Sequence, residues 1–105
     1  MENKKSTKSC STSTDNIPEE NIVNDQVEIF KAIADPTRLK ILYLLEDKEL
    51  CSCQIINSLN IPQPTISHHL SILSRAKLIK WKKKGKWKYF QLNNSKLIET
   101  IKKIN

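Results

Sequence analysis

The chain has 105 residues, of which 38% are hydrophobic and 28% are charged, and this length is enough for one domain with a modest core. No apolar run approaches the roughly 18 residues of a membrane-spanning helix. The first ten residues also lack the apolar segment of a secretory signal, so the sequence predicts a cytoplasmic protein without a membrane partner.

Charge is distributed unevenly along the chain, whose formal net charge is +7. Residues 1–49 carry 7 Lys or Arg and 10 Asp or Glu, whereas residues 50–105 carry 11 Lys or Arg and a single acid, Glu99. Lysines that serve only solubility explain this asymmetry less well than a basic surface that binds a polyanion. The charge pattern therefore favours a nucleic-acid partner.

Residues 1–18 are rich in Lys, Ser and Thr and are predicted to form a disordered tail, because they have too few apolar side chains to offset the entropy of ordering. Residues 19–105 are predicted to form one folded domain. Its first helix runs from about Glu19 to Ile33, where Val23, Val27 and Phe30 recur at helical spacing. This helix has more apolar surface than one small core needs, so part of it is expected to contact another subunit.

A second helix is expected after Asp35 and Pro36, because an aspartate can cap free backbone N–H groups and a proline fits the first helical position. The dense apolar sequence of residues 38–45 predicts that this helix is the buried centre of the domain. A short third helix begins at Cys51 or Ser52 and ends before a turn at residues 60–63. Pro64 then begins a fourth helix, which gives the pattern of a helix-turn-helix.

The fourth helix has two distinct faces. Ile66, Leu70 and Leu73 share one side of a helical wheel. The opposite side is polar and carries no acid: Pro64, Ser67, His68, Ser71 and Arg75. A helix with such a face can lie in the major groove of DNA, although helix-turn-helix pairs also occur as plain packing units.

Residues 78–92 predict a β-hairpin with Gly85, the only glycine of the chain, at its turn. Six of the nine residues from Lys80 to Lys88 are lysine. A lysine-rich hairpin directly after a candidate reading helix is typical of a wing that contacts phosphates or the minor groove. The alternative is a solvated edge hairpin whose lysines prevent aggregation.

A final helix from residue 95 has a one-sided apolar stripe. It is too short to be stable alone, so it must dock on the rest of the domain. We expect the first and last helices together to form a dimer interface, which suits a DNA site with two-fold symmetry.

Four segments carry a resemblance to a known family: DPTRLKILYLL at 35–45, ELCSCQI at 49–55, PQPTISHHLSILSRAKLI at 62–79 and KKGKWKYFQL at 83–92. Over about residues 20–104 the chain resembles the ArsR/SmtB family of winged helix-turn-helix repressors. The resemblance implies a mainly α fold with a small β-hairpin, in the order α-α-α-α-β-β-α, and a homodimer built on the first and last helices. It also implies double-stranded operator DNA as the partner, and release from that operator when an effector binds.

The same resemblance places individual side chains at the DNA. The positions that fall on the reading helix are Gln63, Thr65, Ser67, His68 and Ser71. The positions that fall on the wing are Lys83, Lys84 and Lys86. The polar face of the fourth helix adds Arg75 to this predicted DNA-binding set.

Cys51 and Cys53 are a candidate metal site. Thiols at the N-terminus of a helix have lowered pKa values, and thiolate is the ligand that soft ions such as As(III), Cd(II), Pb(II) and Cu(I) prefer. Two residues apart on a regular helix, the side chains point about 200° from each other, so a shared ion requires the first turn to unwind. Such an ion would be an effector and is not expected to be needed for folding.

The resemblance supports this site, because Cys-x-Cys begins the third helix in the family's arsenic-sensing and cadmium/lead-sensing members. The arsenic sensors have a third cysteine where this chain has Ile56, whereas the cadmium/lead sensors use cysteines of the N-terminal tail. Cys10 is therefore the candidate third ligand. The final helix has no histidine, so the zinc site of the family's zinc sensors is expected to be absent.

Other interpretations stay open. The thiols can form a redox switch, although a disulfide between residues two apart is strained, or they can bind nothing in an effector-independent regulator. A winged helix can also bind RNA or a protein. His68 and His69 diverge by about 100° on a helix and are not predicted to be ligands. An enzyme is disfavoured, because one glycine cannot make a phosphate-cradling loop and no Ser/His/Asp arrangement is indicated.

Overall fold

The computed structural model describes residues 11–105. Its elements in chain order are α1 (Glu20–Ile33), α2 (Pro36–Leu44), β1 (Leu50–Cys51), α3 (Ser52–Leu59), α4 (Gln63–Arg75), β2 (Ile79–Lys84), β3 (Trp87–Leu92) and α5 (Lys96–Lys102). Residues 11–19 precede α1, are exposed, and contain no helix or strand. The predicted winged helix-turn-helix fold is confirmed, and the short strand β1 is an addition to it.

The start of α2 shows the predicted cap. The carboxylate of Asp35 accepts hydrogen bonds from the backbone N–H groups of Thr37 at 2.9 Å and Arg38 at 3.1 Å. These bonds satisfy donors that a helix leaves free in its first turn. Behind the cap, Ile41 and Leu42 are fully buried, so α2 lies at the centre of the core as expected.

The turn between α3 and α4 sets the angle of the helix pair. Asn60 ends α3 in the left-handed conformation with φ of 56°, which asparagine tolerates better than most residues. α4 begins at Gln63, one residue earlier than predicted, with Pro64 in its first turn. Ile55 from α3 and Ile66 from α4 are both fully buried in the shared core. The outer side of α4 therefore remains free.

The sheet has three antiparallel strands in the order β1-β3-β2. β2 and β3 form the predicted hairpin, in which Trp81 is paired with Phe90 and Lys84 with Trp87. Gly85 lies at the turn with φ of +63°, a conformation that glycine adopts without strain. A two-residue strand is too short to show a hydrophobic period, which explains why β1 was not predicted. Its pairing of Cys51 with Tyr89 attaches the cysteine segment to the wing.

α5 docks through Ile98, which is fully buried. Other apolar side chains near the two ends of the described chain are exposed, among them Ile22 and Val27 on α1 and Ile104 after α5. Phe30 of α1 has 66% of its surface exposed, and Ile104 has 78%. No helix within residues 11–105 is long and apolar enough to cross a membrane.

Candidate nucleic-acid interface and cysteine pair

The outer face of α4 gathers the side chains that the sequence predicted to contact DNA. Ile66, Leu70 and Leu73 are buried against the core. The exposed residues on the helix are Gln63, Pro64, Thr65, Ser67, His68, Ser71 and Arg75. The guanidinium of Arg75 donates to Ser71 Oγ at 3.0 Å, so the two side chains stand together near the C-terminal end of the helix. α4 carries no carboxylate, which leaves this face compatible with a polyanion.

Not every lysine of the wing is free. Lys83, Lys84 and Lys86 are all exposed near the end of the hairpin, as predicted. The ammonium of Lys84, however, donates a hydrogen bond to Glu49, and the ammonium of Lys82 lies 3.5 Å from the same carboxylate. The hydrogen bond from Lys84 holds the pKa of Glu49 below its usual value, and Lys82 adds to the effect while partial burial opposes it.

Sequence reasoning missed this role of Glu49. The residue lies more than thirty positions before Lys84, and the two meet only because β1 pairs with β3. No local pattern could have revealed the contact, because it depends on the pairing of β1 with a strand about forty residues later in the chain.

Aromatic rings support three of the hairpin lysines. Lys88 Nζ lies 4.1 Å from the centroid of the Trp81 ring, and Lys86 Nζ lies 5.7 Å from that of Trp87. Lys84 stands 5.2 Å from the ring of Tyr89. An ammonium over an aromatic face is held electrostatically while it keeps contact with water. The rings therefore orient positive charges on the wing without neutralising them.

A groove of about 440 Å³, the α4–hairpin groove, separates α4 from the hairpin. Its α4 side includes Ser67, Ser71 and Arg75, and its hairpin side includes Trp81 and Lys88. No Asp or Glu is among the residues that line it in the described part of the chain. Lys88 was counted among the wing lysines but was not assigned to the DNA surface from the sequence.

The two adjacent histidines have different surroundings. His68 is exposed on the outer face of α4, whereas only 12% of the His69 side chain is exposed. Their ring centroids are 5.6 Å apart and the rings are tilted by 56°. Within residues 11–105, no three His, Cys, Asp or Glu residues are grouped so that they could hold a metal ion.

Cys51 and Cys53 lie at the junction of β1 and α3. Cys51 is the N-cap of α3 with extended backbone angles, φ −80° and ψ 163°, and its N–H donates to Gln54 Oε1 at 2.9 Å. The divergence of about 200° expected inside a helix does not apply, because Cys51 precedes the helix. Each thiol instead influences the pKa of the other.

The two thiols differ in acidity and exposure. Burial alone would raise the pKa of the Cys51 thiol, but hydrogen bonds from Cys53 and from backbone N–H groups outweigh burial and lower it. The same hydrogen bond to Cys51 raises the pKa of Cys53, as does the loss of hydration. Cys51 is buried and Cys53 is exposed, so the pair has one face open to solvent. Adjacent thiols of this kind suit a soft ion, and the candidate third ligand, Cys10, lies outside the described residues.

This helix pair, with an acid-free outer face beside a basic hairpin, defines a DNA-binding transcriptional regulator of the winged helix-turn-helix class. The model of the bacterial regulatory protein arsR family matches residues 35–80. An HTH-type transcriptional regulator of Methanocaldococcus jannaschii is 49% identical over 79 residues, which cover 74% of this chain and 89% of that protein. The chain therefore belongs to the arsR family, as its resemblance implied.

Further relatives agree with this assignment. The transcriptional repressor SdpR of Bacillus subtilis is 45% identical over 73 residues, or 70% of this chain and 81% of that protein. An arsenical resistance operon repressor of Staphylococcus aureus is 38% identical over 77 residues, or 73% and 74% of the two chains. The structure of the repressor PagR of Bacillus anthracis superposes with a TM-score of 0.70 at 39% identity, covering 83% of this chain and all 100% of that one. These are transcriptional regulators and not enzymes, as predicted.

Proposed function

We propose that the chain is a homodimeric repressor that binds double-stranded operator DNA through α4 and the wing, and that leaves the operator when a soft metal or metalloid ion binds its cysteine thiolates. The observation that carries the proposal is the exposed, acid-free face of α4 next to the lysine-rich hairpin. A single chain presents both parts on one side, as a reading head requires.

The residues of this surface divide into two roles. Gln63, Thr65, Ser67 and His68 lie in the first half of α4, where side chains of a reading helix reach base edges. The rest contact phosphate and sugar, and they fix the register of the protein on the duplex. These phosphate-contacting residues are Ser71, Arg75, Lys83, Lys84 and Lys86. Lys84 reaches the DNA only after it leaves Glu49.

A second copy of this chain is the partner that covers the exposed apolar side of α1 and the end of α5. Phe30, Val27 and Ile104 remain exposed in the single chain, although apolar side chains of this size favour burial. Two-fold packing of these surfaces places two copies of α4 on the same side of the dimer. Half-sites about 34–36 Å apart then fit both reading helices at once.

The effector proposal rests on Cys51 and Cys53. Each of the two thiols influences the pKa of the other, and the exposed Cys53 gives an ion access to the pair. The relative from Staphylococcus aureus is a repressor of an arsenical resistance operon, which supports As(III) among the candidate ions. Cd(II), Pb(II) and Cu(I) share the preference for thiolate. Cys10 supplies the third thiolate from the same chain or from its partner.

The DNA part is tested with a duplex selected by the full-length protein from a random-sequence library. We expect tight binding to the selected duplex, weak binding to a scrambled duplex, and a steep loss of affinity with salt because several lysines displace counterions. Equal affinity for both duplexes, or affinity that does not change with salt, would contradict operator binding. Sedimentation of the free protein and of the complex reports the number of copies.

The effector part is tested by titrating As(III), Cd(II), Pb(II), Cu(I) and, as a harder comparison ion, Zn(II) into the complex. We expect release by at least one thiophilic ion from the wild type, and no release from Cys51→Ser or Cys53→Ser. Cys10→Ser tests whether a third thiolate takes part. The variant should respond weakly to the ion if the site has three thiolates, and as the wild type does if the site has two. If Cys51→Ser and Cys53→Ser both leave the DNA at the ion concentrations that release the wild type, the sensing proposal is refuted and DNA binding stands.

A further inference from the structure

We propose that the α4–hairpin groove holds one phosphate of the DNA backbone, bound between Arg75 and Lys88. The inference rests on the proposed function, in which α4 lies along duplex DNA. It adds Lys88 and the groove itself to the DNA-contacting surface, and it identifies the ligand as a backbone phosphate and not a base edge. The groove is open to solvent on the same side as Ser67, Ser71 and Arg75.

Charge is the first support. Arg75 and Lys88 are exposed, and neither forms an ion pair with an acid within residues 11–105. Other lysines behave differently: Lys82 and Lys84 contact Glu49, and Lys102 contacts Glu46. The groove thus joins two cations without a carboxylate, and an anion there meets attraction from both sides.

Orientation is the second support. The guanidinium of Arg75 is held by Ser71 Oγ at 3.0 Å, and the ammonium of Lys88 stands 4.1 Å from the centroid of the Trp81 ring. Each side chain still has N–H donors available for a phosphate, because a guanidinium has five donors and an ammonium has three. Hydroxyl groups of Ser67, Ser71 and Ser74 line the same groove. Such hydroxyls are frequent donors to phosphate oxygens in protein–DNA contacts.

Position decides which phosphate is bound. A free organophosphate shares the chemistry of a backbone phosphate and would find the same donors. The groove, however, is bordered by Ser67, Ser71 and Arg75, which belong to the face of α4 that the duplex covers. A reading helix in the major groove has a sugar-phosphate backbone on either side, and the hairpin lies on one of those sides. The DNA backbone therefore supplies the phosphate.

The groove also adjoins the cysteine pair. Ser52, which lies between Cys51 and Cys53 in the sequence, is one of the residues lining it. The wall of the groove therefore includes the first residue of α3, next to the proposed effector site.

The test uses the full-length protein and the selected duplex. Arg75→Gln and Lys88→Gln each remove one phosphate contact, so the slope of log affinity against log salt should become shallower by about 0.9 per protomer. Lys40→Gln removes an exposed positive charge from α2 and serves as the matched control, with the slope unchanged. Alternatively, the wild type binds the selected duplex while Lys88→Gln and Arg75→Gln show the same salt slope as Lys40→Gln. That result would refute the phosphate site and leave operator binding intact.

A second measurement locates the phosphate. Neutral methylphosphonate is placed at one backbone position of the duplex at a time, and affinity is compared for wild type and Lys88→Gln. We expect one position per half-site at which the wild type loses affinity several-fold and Lys88→Gln, which keeps only the Arg75 side of the contact, loses clearly less. Losses of equal size in both proteins at every position would overturn the proposal.

Trp81 emission distinguishes the two sources of phosphate. In a Trp87→Phe background, Trp81 is the remaining tryptophan and lines the groove. The duplex should change its emission at concentrations that match DNA binding, and inorganic phosphate should do so only at far higher concentrations. Saturation by inorganic phosphate at or below the duplex concentration would show a site for a free anion and reject the backbone assignment.

Discussion

The guanidinium of Arg38 lies 3.1 Å from Nδ1 of His69, a contact between the first turn of α2 and the middle of α4. Because arginine is always a donor, Nδ1 accepts this hydrogen bond and the proton of the neutral imidazole is on Nε2. Nε of the same Arg38 donates to the carbonyl oxygen of Ala32 at 2.6 Å, at the end of α1. One side chain thus joins the helix of the proposed dimer interface to the reading helix.

Arg38→Lys should destabilise the fold and weaken DNA binding together. A lysine ammonium cannot match the planar fork that contacts Ala32 and His69 at once, and losing partly buried hydrogen bonds of this kind costs about 1–3 kcal/mol. Urea denaturation measures the free energy of unfolding, and binding to the selected duplex measures the effect on α4. Arg75→Lys, at an exposed position, should leave stability within about 0.5 kcal/mol of the wild type. Equal stability of the two variants would show that the Arg38 contacts contribute little.

Acidification should weaken the fold through His69. Burial lowers the pKa of His69 below its ordinary value of 6.5, Arg38 and His68 lower it further, and only Asp35, 4.0 Å away, opposes the shift. Below pH 6.5 the unfolded chain therefore binds a proton that the folded chain does not, so the free energy of unfolding falls as the pH falls through the folded pKa. A protonated His69 also loses the acceptor for Arg38.

His69→Asn provides the check, since its side-chain oxygen can still accept from Arg38 but does not titrate. The variant should lose the fall in stability just below pH 6.5, whereas His68→Asn should keep it. The lowered pKa of Asp35, caused mainly by the backbone N–H of Arg38, adds a separate loss at more acid pH, below the ordinary value of 3.8. An unchanged pH profile in His69→Asn would assign the titration to another group.

Glu49→Gln should strengthen DNA binding. The carboxylate of Glu49 occupies Lys82 and Lys84 in the free protein, so DNA phosphates have to displace it before they use these two lysines. Without the negative charge of Glu49, affinity for DNA at low salt should rise. The slope of log affinity against log salt should also become steeper, by up to about 0.9 for each lysine released. Fluorescence anisotropy over a salt series measures both quantities. The fold should lose little stability, because the lysine side chains are half-exposed and water screens the ion pairs.

Glu46→Gln is the matched control for this change. Glu46 binds Lys102 of α5 at 2.7 Å, away from the wing, and its loss alters net charge by the same amount. An equal gain in affinity from both variants would mean that Glu49 acts through overall charge and not through the two wing lysines.

Local rules predicted most of the fold. The Asp35 cap, the proline in the first turn of α4 and the glycine of the hairpin each follow from backbone chemistry within a few residues. The same holds for the polar face of α4, which follows from a helical period alone. The cysteine geometry, the Glu49 contacts and the Arg38–His69 bond were not predictable in this way. They depend on β1 meeting β3 and on α2 meeting α4, and contacts between residues about thirty positions apart leave no local pattern.

Phe30→Ser should separate the proposed dimer into single chains. Phe30 is exposed by 66% in the single chain, and burying a side chain of this type stabilises by about 1.5–3 kcal/mol. A two-fold interface buries Phe30 in both copies, so the substitution removes about twice this free energy from the dimer. The dimer dissociation constant should therefore rise by about two orders of magnitude or more. Sedimentation over a concentration series measures the change. Trp87→Ser removes a half-exposed aromatic from the wing and should leave the dimer intact. A wild type that stays a single chain, or a Phe30→Ser dimer as tight as that of Trp87→Ser, would place the interface elsewhere.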